Sequence, residues 1–193
     1  MARQLWKPAN ILYPCPVVMV SCADRDGRPN IMTAAWTGTI SSDPVMASVS
    51  IRPARYSYQI IRDTGEFVLN LTTRDLAFAT DFCGVRSGRD IDKFAHLGLH
   101  PTVSDSVRAP GIDESPVNIE CKVVKIENFG VHDLFLAEVV RVSVDEQYMD
   151  EKGRFDLAKA DLIAYSHGEY FALGEKVGKF GFSVKKDKKN KKR

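Results

Sequence analysis

The sequence predicts a mainly β protein, an antiparallel barrel with a few short helices. Six segments rich in Val, Ile and Leu are typical of strands, whereas three short segments are typical of helices. Strands and helices do not alternate along the chain as they do in doubly wound folds, which favours antiparallel pairing. The chain has 193 residues, of which 44% are hydrophobic and 27% charged, enough for one domain with a full core.

The predicted strands are apolar segments bounded by turn residues. Residues 46–51 show the pattern most clearly, because the apolar residues Ala47 and Val49 alternate with polar or flexible ones. Asp26 and Gly27 form a pair that favours a hairpin turn between the first two strands. The predicted strands are residues 17–22, 30–35, 46–51, 67–71, 117–126 and 134–144.

The predicted helices are short and have recognisable ends. Ser57 is the expected cap of the first helix and Gly65 its terminator, while Thr73 caps the second and Gly84 follows its end. Residues 98–116 contain several Gly and Pro and predict a loop with little regular structure. The predicted helices are residues 57–64, 74–83 and 91–95.

The charge of the chain is concentrated at its end. The last nine residues, KKDKKNKKR, hold seven of the 27 basic residues and one of the 25 acidic ones, so residues 1–184 carry a net charge of −4. We expect residues 1–184 to form one domain and residues 185–193 to be a disordered, solubilising end, with a tether to nucleic acid or membrane as the alternative. The acidic body does not predict a nucleic-acid-binding fold.

The sequence predicts a cytoplasmic protein that is not embedded in a membrane. No apolar run approaches the roughly 18–20 residues that span a bilayer, and prolines break the short apolar run near the N-terminus. The four cysteines are widely spaced and form no C-x-x-C pair, so we expect no metal site, and their disulfide state stays open. Cys83 is expected to be a small buried thiol, with a position beside a ligand as the alternative.

Several motifs of cofactor sites and nucleophiles are absent from the sequence. It contains neither G-x-G-x-x-G nor the phosphate loop G-x-x-x-x-G-K-[ST], and no serine nucleophile elbow. His96 and His100 flank LGL in a predicted loop and do not predict a metal site. Because side chains alone do not carry hydride, redox chemistry would require a bound cofactor.

Residues 30–57, NIMTAAWTGTISSDPVMASVSIRPARYS, contain the clearest candidate site. A turn of small residues at 33–38 would let a flat heterocycle approach the backbone, with Trp36 as a stacking or wall residue. Arg52 and Arg55 lie near a predicted helix start, where free N–H groups and guanidinium groups favour a phosphate. The alternative is that the arginines are solvated surface charges and Trp36 is part of the core.

Two further segments are candidate parts of a ligand-binding or catalytic site. SGRDIDKF, residues 87–94, combines a polar turn at Ser87 with Asp92, Lys93 and Phe94, which suits a phosphate or ribityl chain. The alternative is a solvated loop in which Asp92 and Lys93 form a surface pair and Phe94 fills the core. In YSHGEYFALG, His167 precedes a glycine in a predicted turn, where it is either a structural hydrogen-bonding residue or a catalytic one.

These segments together resemble the flavin reductase-like family, whose members bind FMN in a split β-barrel and include flavoredoxin-like and ferric-reductase-like proteins. The matching pieces are residues 14–51, RPARYSYQIIRDTGEFVLNL at 52–71, DFCGVRSGRDIDKF at 81–94 and AYSHGEYFALG at 164–174, and they are distributed over about the first nine-tenths of the chain. The resemblance implies an antiparallel split β-barrel and a homodimer with FMN at the subunit interface. It implies cofactor contacts at Asn30, Thr33, Ala34, Ala35, Trp36, Thr37, Ser50, Arg52, Arg55, Tyr56, Ser57, Ser87, Asp92, Lys93 and Phe94.

The resemblance implies an oxidoreductase that transfers hydride from NADH or NADPH to flavin, a flavin or ferric reductase. His167 would line the face where the nicotinamide or a partner's redox group approaches. The electron acceptor would be free flavin, ferric iron or a redox protein. The alternatives are a flavoredoxin-like electron carrier with permanently bound FMN, and a binding domain that has lost its flavin.

Overall fold

Seven antiparallel strands form the main sheet and enclose one apolar core. The computed structural model describes residues 2–184, so the predicted tail, residues 185–193, lies outside the described residues. The strands are β1 (Cys15–Pro16), β2 (Val18–Ala23), β3 (Pro29–Ala34), β4 (Thr37–Ser42), β5 (Val45–Ile51), β6 (Glu66–Leu71), β7 (Pro101–Thr102), β8 (Gly111–Ile112), β9 (Val117–Asn128), β10 (Asp133–Val144), β11 (Ile163–Ser166) and β12 (Glu169–Ala172). The helices are α1 (Tyr56–Thr64), α2 (Ala77–Val85) and α3 (Lys93–Leu97), with single 3₁₀ turns at Glu146–Tyr148 and Phe182–Val184.

The order of strands in the main sheet is β3-β2-β6-β9-β10-β5-β4, and every neighbouring pair is antiparallel. A second sheet has the order β1-β11-β12, and β7 pairs with β8. This arrangement confirms the predicted mainly β, antiparallel architecture.

Both faces of β2 and β3 are buried, and this decides where the helices lie. Val20 and Met32 point into the core enclosed by the sheet, where Ile61 of α1 also packs. Met19 and Ile31 point to the opposite face, where side chains of α2 and α3 cover them. The helix α1 thus packs on one face of β2 and β3, and α2 and α3 pack on the other. All three helices lie next to the same two strands.

All six predicted strands are confirmed, with bounds that differ by at most two residues. The predicted hairpin is also confirmed, because Asp24 N–H donates to Arg28 O at 3.0 Å across the turn. The small-residue turn is shorter than predicted: Thr33 and Ala34 end β3, and Thr37 begins β4. The sequence TGTISS of β4 has few apolar residues because this strand lies at the edge of the sheet, where burial on one face is weak.

The predicted ends of the helices are partly wrong. Gly65 terminates α1 with φ of 71°, as predicted, but Ser57 lies inside the first turn and Arg55 occupies the cap position. The helix α2 begins at Ala77, because a turn closed by Leu76 N–H on Thr73 precedes it. It continues through Gly84, which was predicted to follow its end.

Two further findings concern the whole described chain. All four cysteines are free thiols, and Cys22, Cys83 and Cys121 are buried. No helix within residues 2–184 has the length and apolarity needed to cross a membrane.

Candidate functional site

A cavity of about 410 Å³ lies where β3, β5 and α2 end. We call it the main cavity. Its wall includes seven of the predicted cofactor-binding residues: Thr33, Ala34, Ala35, Trp36, Ser50, Arg52 and Arg55.

A smaller cavity of about 120 Å³ adjoins it, and we call this the side cavity. Met32, Arg55 and Val85 line both cavities, so the two lie side by side. The side cavity adds five further predicted residues: Asn30, Tyr56, Ser57, Ser87 and Lys93. Segments that are far apart in sequence therefore meet at one site.

Lys93 is the most unusual residue of the side cavity. Its side chain is buried, with 4% of its surface exposed, and Nζ donates to the carbonyl oxygens of Ile31 at 2.7 Å and Cys83 at 2.9 Å. Burial lowers the pKa of its ammonium group, and the positive charge of Arg55 adds to the effect. Within residues 2–184 no carboxylate forms an ion pair with it. A buried ammonium with two neutral acceptors retains one N–H and an unbalanced charge.

The surroundings of Lys93 are also positive. Four basic side chains line the side cavity, and none of the described residues in its wall is acidic. Arg55 is held in place because Nη1 donates to Gly84 O at 2.9 Å, and the Arg89 guanidinium lies over the Tyr56 ring at 5.5 Å. The helix start of α1 adds the free N–H groups of its first turn. The side cavity is therefore suited to a small anion.

The turn before α3 fits against β3 only because it contains a glycine. A Cβ at Gly88 would lie 2.0 Å from Asn30 Oδ1 and 2.9 Å from the Tyr56 ring. Asn30 is itself fixed, because Nδ2 donates to Ser57 Oγ at 2.7 Å and both side chains are buried. This contact brings the backbone of the turn directly to the side cavity.

The wall of the main cavity contains an aromatic pair. The Trp36 ring is 41% exposed and lies with its centroid 4.8 Å from that of His132, at an angle of 44°. The small side chains of Ala34 and Ala35 leave room beside it. A flat ring system could contact this wall while a phosphate tail reaches the side cavity.

His132, Tyr13, Tyr165 and Tyr170 also line the main cavity, and sequence reasoning missed them as site residues. His132 follows β9 at a chain turn, and its contact with Trp36 joins residues 96 positions apart, which no local pattern reveals. Tyr165 and Tyr170 lie in YSHGEYFALG, the segment that contains His167. The sequence therefore indicated the correct segment, but the tyrosines rather than His167 line the cavity.

Three predicted cofactor-binding residues line neither cavity. Thr37 lies in β4, where Oγ1 donates to Ser48 O at 2.6 Å. The carboxylate of Asp92 caps α3 by accepting from Ala95 N–H at 3.1 Å, and Phe94 is buried in the core between sheet and helices. Phe94 thus has the core role of the alternative interpretation, whereas Asp92 caps α3 and Lys93 is buried rather than paired with it at the surface.

His167 lies in the turn between β11 and β12. It has φ of 50° and is followed by Gly168 with φ of 90°, as in a tight hairpin. Its exposed ring contacts Tyr13, with centroids 5.9 Å apart, and Gly168 rather than His167 lines the main cavity. The structure therefore places His167 at the rim, and its catalytic role stays a prediction.

Cys83 is the buried thiol that the sequence predicted, and its position beside a ligand stays a prediction. It is buried and lines the side cavity, and burial raises its pKa to about 11. Burial likewise raises the pKa of Cys22 to about 12. Both groups are protonated thiols at neutral pH, so neither is an activated nucleophile.

Comparison with known proteins identifies the family. Residues 11–174 match the flavin reductase like domain. The chain belongs to the flavin reductase-like family. This confirms the resemblance found in the sequence.

Solved structures agree with this assignment. The chain is similar to the flavoredoxin of Desulfovibrio vulgaris (Miyazaki F), with 35% identity, a TM-score of 0.89 and coverage of 95% of this chain and 100% of that one. An FMN-binding protein from Thermus thermophilus, solved with bound 1-cyclohex-2-enone, is 25% identical with a TM-score of 0.77 and coverage of 93% and 99%.

The fold is confirmed by a third structure, a split-barrel domain protein of the flavin reductase type from Shewanella frigidimarina NCIMB 400. It is 23% identical, with a TM-score of 0.78 and coverage of 87% of this chain and 86% of that one. The fold is the split barrel that the resemblance implied, and family membership supports a flavin-dependent redox role.

Proposed function

We propose that the protein is an FMN-binding oxidoreductase that reduces flavin or ferric iron with electrons from NADH or NADPH. Lys93 provides the main support, because it is a buried cation with no acidic partner among the described residues and it borders a cavity that adjoins the main cavity. A phosphate monoester would supply the missing negative charge. FMN combines such a group with a flat ring.

The side cavity would hold the phosphate. Lys93 Nζ, the Arg55 guanidinium and the N–H groups at the start of α1 would donate to its oxygens. Ser57 Oγ accepts from Asn30, and its hydroxyl group lies in the wall of the side cavity, where it would donate to a phosphate oxygen. The close contact of Gly88 with Asn30 and Tyr56 would limit how far the phosphate enters the side cavity.

The main cavity would hold the ring. Trp36 and His132 would form one wall, while Ala34 and Ala35 would allow the backbone to approach the ring edge. When bound, FMN would supply the redox chemistry of the site, which amino-acid side chains lack. The contribution of the chain would be to bind, orient and shield the ring.

The first test is direct. We expect the purified protein to be yellow, to release FMN on denaturation, and to oxidise NADH or NADPH faster when FMN is added. Arg55→Ala should weaken FMN binding because it removes a donor from both cavities, whereas Arg25→Ala, in the exposed hairpin turn, should not. A colourless protein that does not take up FMN would contradict the proposal and would favour a flavin-free domain.

A second function is a non-catalytic electron carrier that exchanges electrons with a protein partner. The similarity to a flavoredoxin over nearly the whole chain favours it. Tightly held, non-exchanging FMN without oxidation of either nicotinamide would select the carrier. Consumption of NADH or NADPH stimulated by free FMN would select the reductase.

We also propose that the protein acts as a homodimer in the cytoplasm. Near the N-terminus, the apolar side chains of Trp6 and Leu12 are 70% and 90% exposed. They lie close in sequence to Asn10 and Tyr13, which line the main cavity, so a second chain that covered them would lie beside the site. Sedimentation of the FMN-loaded protein should give twice the mass of one chain. A monomer with FMN fully bound would contradict an interface that completes the site.

A further inference from the structure

A third cavity, of about 280 Å³, lies on the outer face of β9 and β10 beneath the segment that carries β7 and β8. Among the described residues, none lines both this cavity and the main or side cavity. Its wall contains four carboxylates and, within the described chain, no basic side chain. We call it the acidic cavity; its carboxylates are Asp105, Asp113, Glu120 and Asp145.

Glu120 makes the acidic cavity different from an ordinary acidic surface. Its side chain is buried, with 3% exposed, and its two oxygens accept from the backbone N–H groups of Asp105 at 3.0 Å and Ser106 at 2.7 Å. No basic residue within 2–184 forms an ion pair with it. Arg141 lies 3.7 Å from Asp105, at the exposed rim. A buried carboxylate with only neutral partners leaves a negative charge without a counter-charge.

Asn118 supplies an independent observation. It lies two residues before Glu120 on the same face of β9, its side chain is nine-tenths buried in the wall of the acidic cavity, and Oδ1 accepts no hydrogen bond from any described residue. A Cβ at Gly111 would lie 2.8 Å from Asn118 Nδ2, so the amide is closely packed. Buried amide oxygens without a donor are rare, and this one lies next to a cavity.

The spacing of the acidic groups favours an organic cation over a metal ion. Among residues 2–184, no group of three or more His, Cys, Asp or Glu side chains could hold a metal. An ammonium group carries three N–H donors and can share them among a carboxylate, an amide oxygen and a hydroxyl at wider spacing. The volume of the cavity fits a molecule of a few carbon atoms.

We propose that the acidic cavity binds a small aliphatic amine through its primary ammonium group. The ammonium would donate to Asn118 and to the carboxylate of Asp113, with Glu120 as the buried counter-charge. The site is separate from the proposed FMN site, so amine binding and FMN binding can succeed or fail independently.

Isothermal titration calorimetry on the full chain tests the proposal, with 1,4-diaminobutane as the probe at neutral pH and low salt. We expect saturable binding of the diamine and none of 1,4-butanediol, which has similar size without charge. Asp113→Asn should raise the Kd of the diamine about tenfold, because it removes one charged acceptor. Asp75→Asn, an exposed aspartate elsewhere, is the matched control and should leave the Kd unchanged.

A second variant tests the same site without an added ligand. Ser143 lines the acidic cavity on an exposed part of β10, so Ser143→Lys would place a tethered ammonium beside the carboxylates. It should raise Tm and abolish binding of the diamine. No saturable binding at millimolar diamine, an unchanged Kd in Asp113→Asn, or binding of Ca²⁺ in place of the diamine would each overturn the proposal.

Discussion

Replacement of Lys93 by methionine should separate ligand binding from folding. The variant loses two hydrogen bonds to backbone carbonyls, at 2.7 and 2.9 Å, each worth about 1 kcal/mol. It also loses a buried charge that opposes folding, and methionine fills nearly the same space. The two effects have opposite signs. We therefore expect the free energy of unfolding of the FMN-free protein to change by at most about 2 kcal/mol.

FMN affinity should fall far more than stability. A charge-assisted hydrogen bond from a buried ammonium to a phosphate is worth about 2–3 kcal/mol. Its loss corresponds to an increase of about 30-fold to 160-fold in the Kd for FMN. Titration of FMN followed by flavin fluorescence measures the Kd, and urea unfolding of the FMN-free protein measures stability.

The control is Lys122→Met, which removes an exposed lysine from β9 and should leave both quantities unchanged. An unchanged Kd in Lys93→Met would refute the placement of the phosphate in the side cavity. A Lys93→Met variant that fails to fold would be recognised by its urea curve. Lys93→Arg, which keeps the charge, would then be compared with the unmodified protein and should retain most of the FMN affinity.

Three further predictions concern pH and backbone contacts. Because burial lowers the pKa of Lys93 from its ordinary value of 10.5, the Kd for FMN should rise as the pH climbs towards 10.5, and Lys93→Arg should flatten that profile. Gly88→Ala should cost about 1–3 kcal/mol in urea unfolding and weaken FMN binding, because its Cβ would lie 2.0 Å from a fixed amide oxygen. Gly174→Ala, at an exposed position where a Cβ would meet no atom within 4 Å, is the control and should leave both quantities unchanged. Tyr58 donates a hydrogen bond to Asp133 and so lowers the pKa of that carboxyl below 3.8; this contribution to stability is present above pH 3.8 and is lost as the pH falls through the lowered pKa. Tyr58→Phe should flatten the acid side of the stability profile, and an unchanged profile would show that the pair does not contribute.

The parts of the fold that could be predicted are those with a strong local pattern. β5, β9 and β10 are apolar on at least one face, and the Asp26 and Gly27 pair marks the hairpin between β2 and β3. β4 was missed because an edge strand of small, mostly polar residues lacks the alternation of apolar and polar residues that marks a half-buried strand. The cap at Ser57 was wrong because its hydroxyl bonds to Asn30, a partner 27 residues away in sequence.

The basic character of the side cavity could be predicted for a similar reason. Arg55, Ser57 and Lys93 belong to short segments whose residue types already suggest an anion. The burial of Lys93, however, follows from packing of α3 on β3, and the position of His132 beside Trp36 follows from the strand order. Both depend on tertiary contacts that a single sequence does not contain.

The ammonium of Lys93 also has a mechanical consequence. It belongs to α3, while its two acceptors belong to β3 and α2, so one side chain joins three elements at the rim of the barrel. If a phosphate binds the same ammonium, binding of the cofactor changes how firmly α2 and α3, which we call the helical layer, are held to β3. Local opening of α2 and α3, seen as amide hydrogen exchange, would then depend on whether the cofactor is bound. The loaded protein would have a more rigid helical layer than the empty one, with the strands themselves little affected.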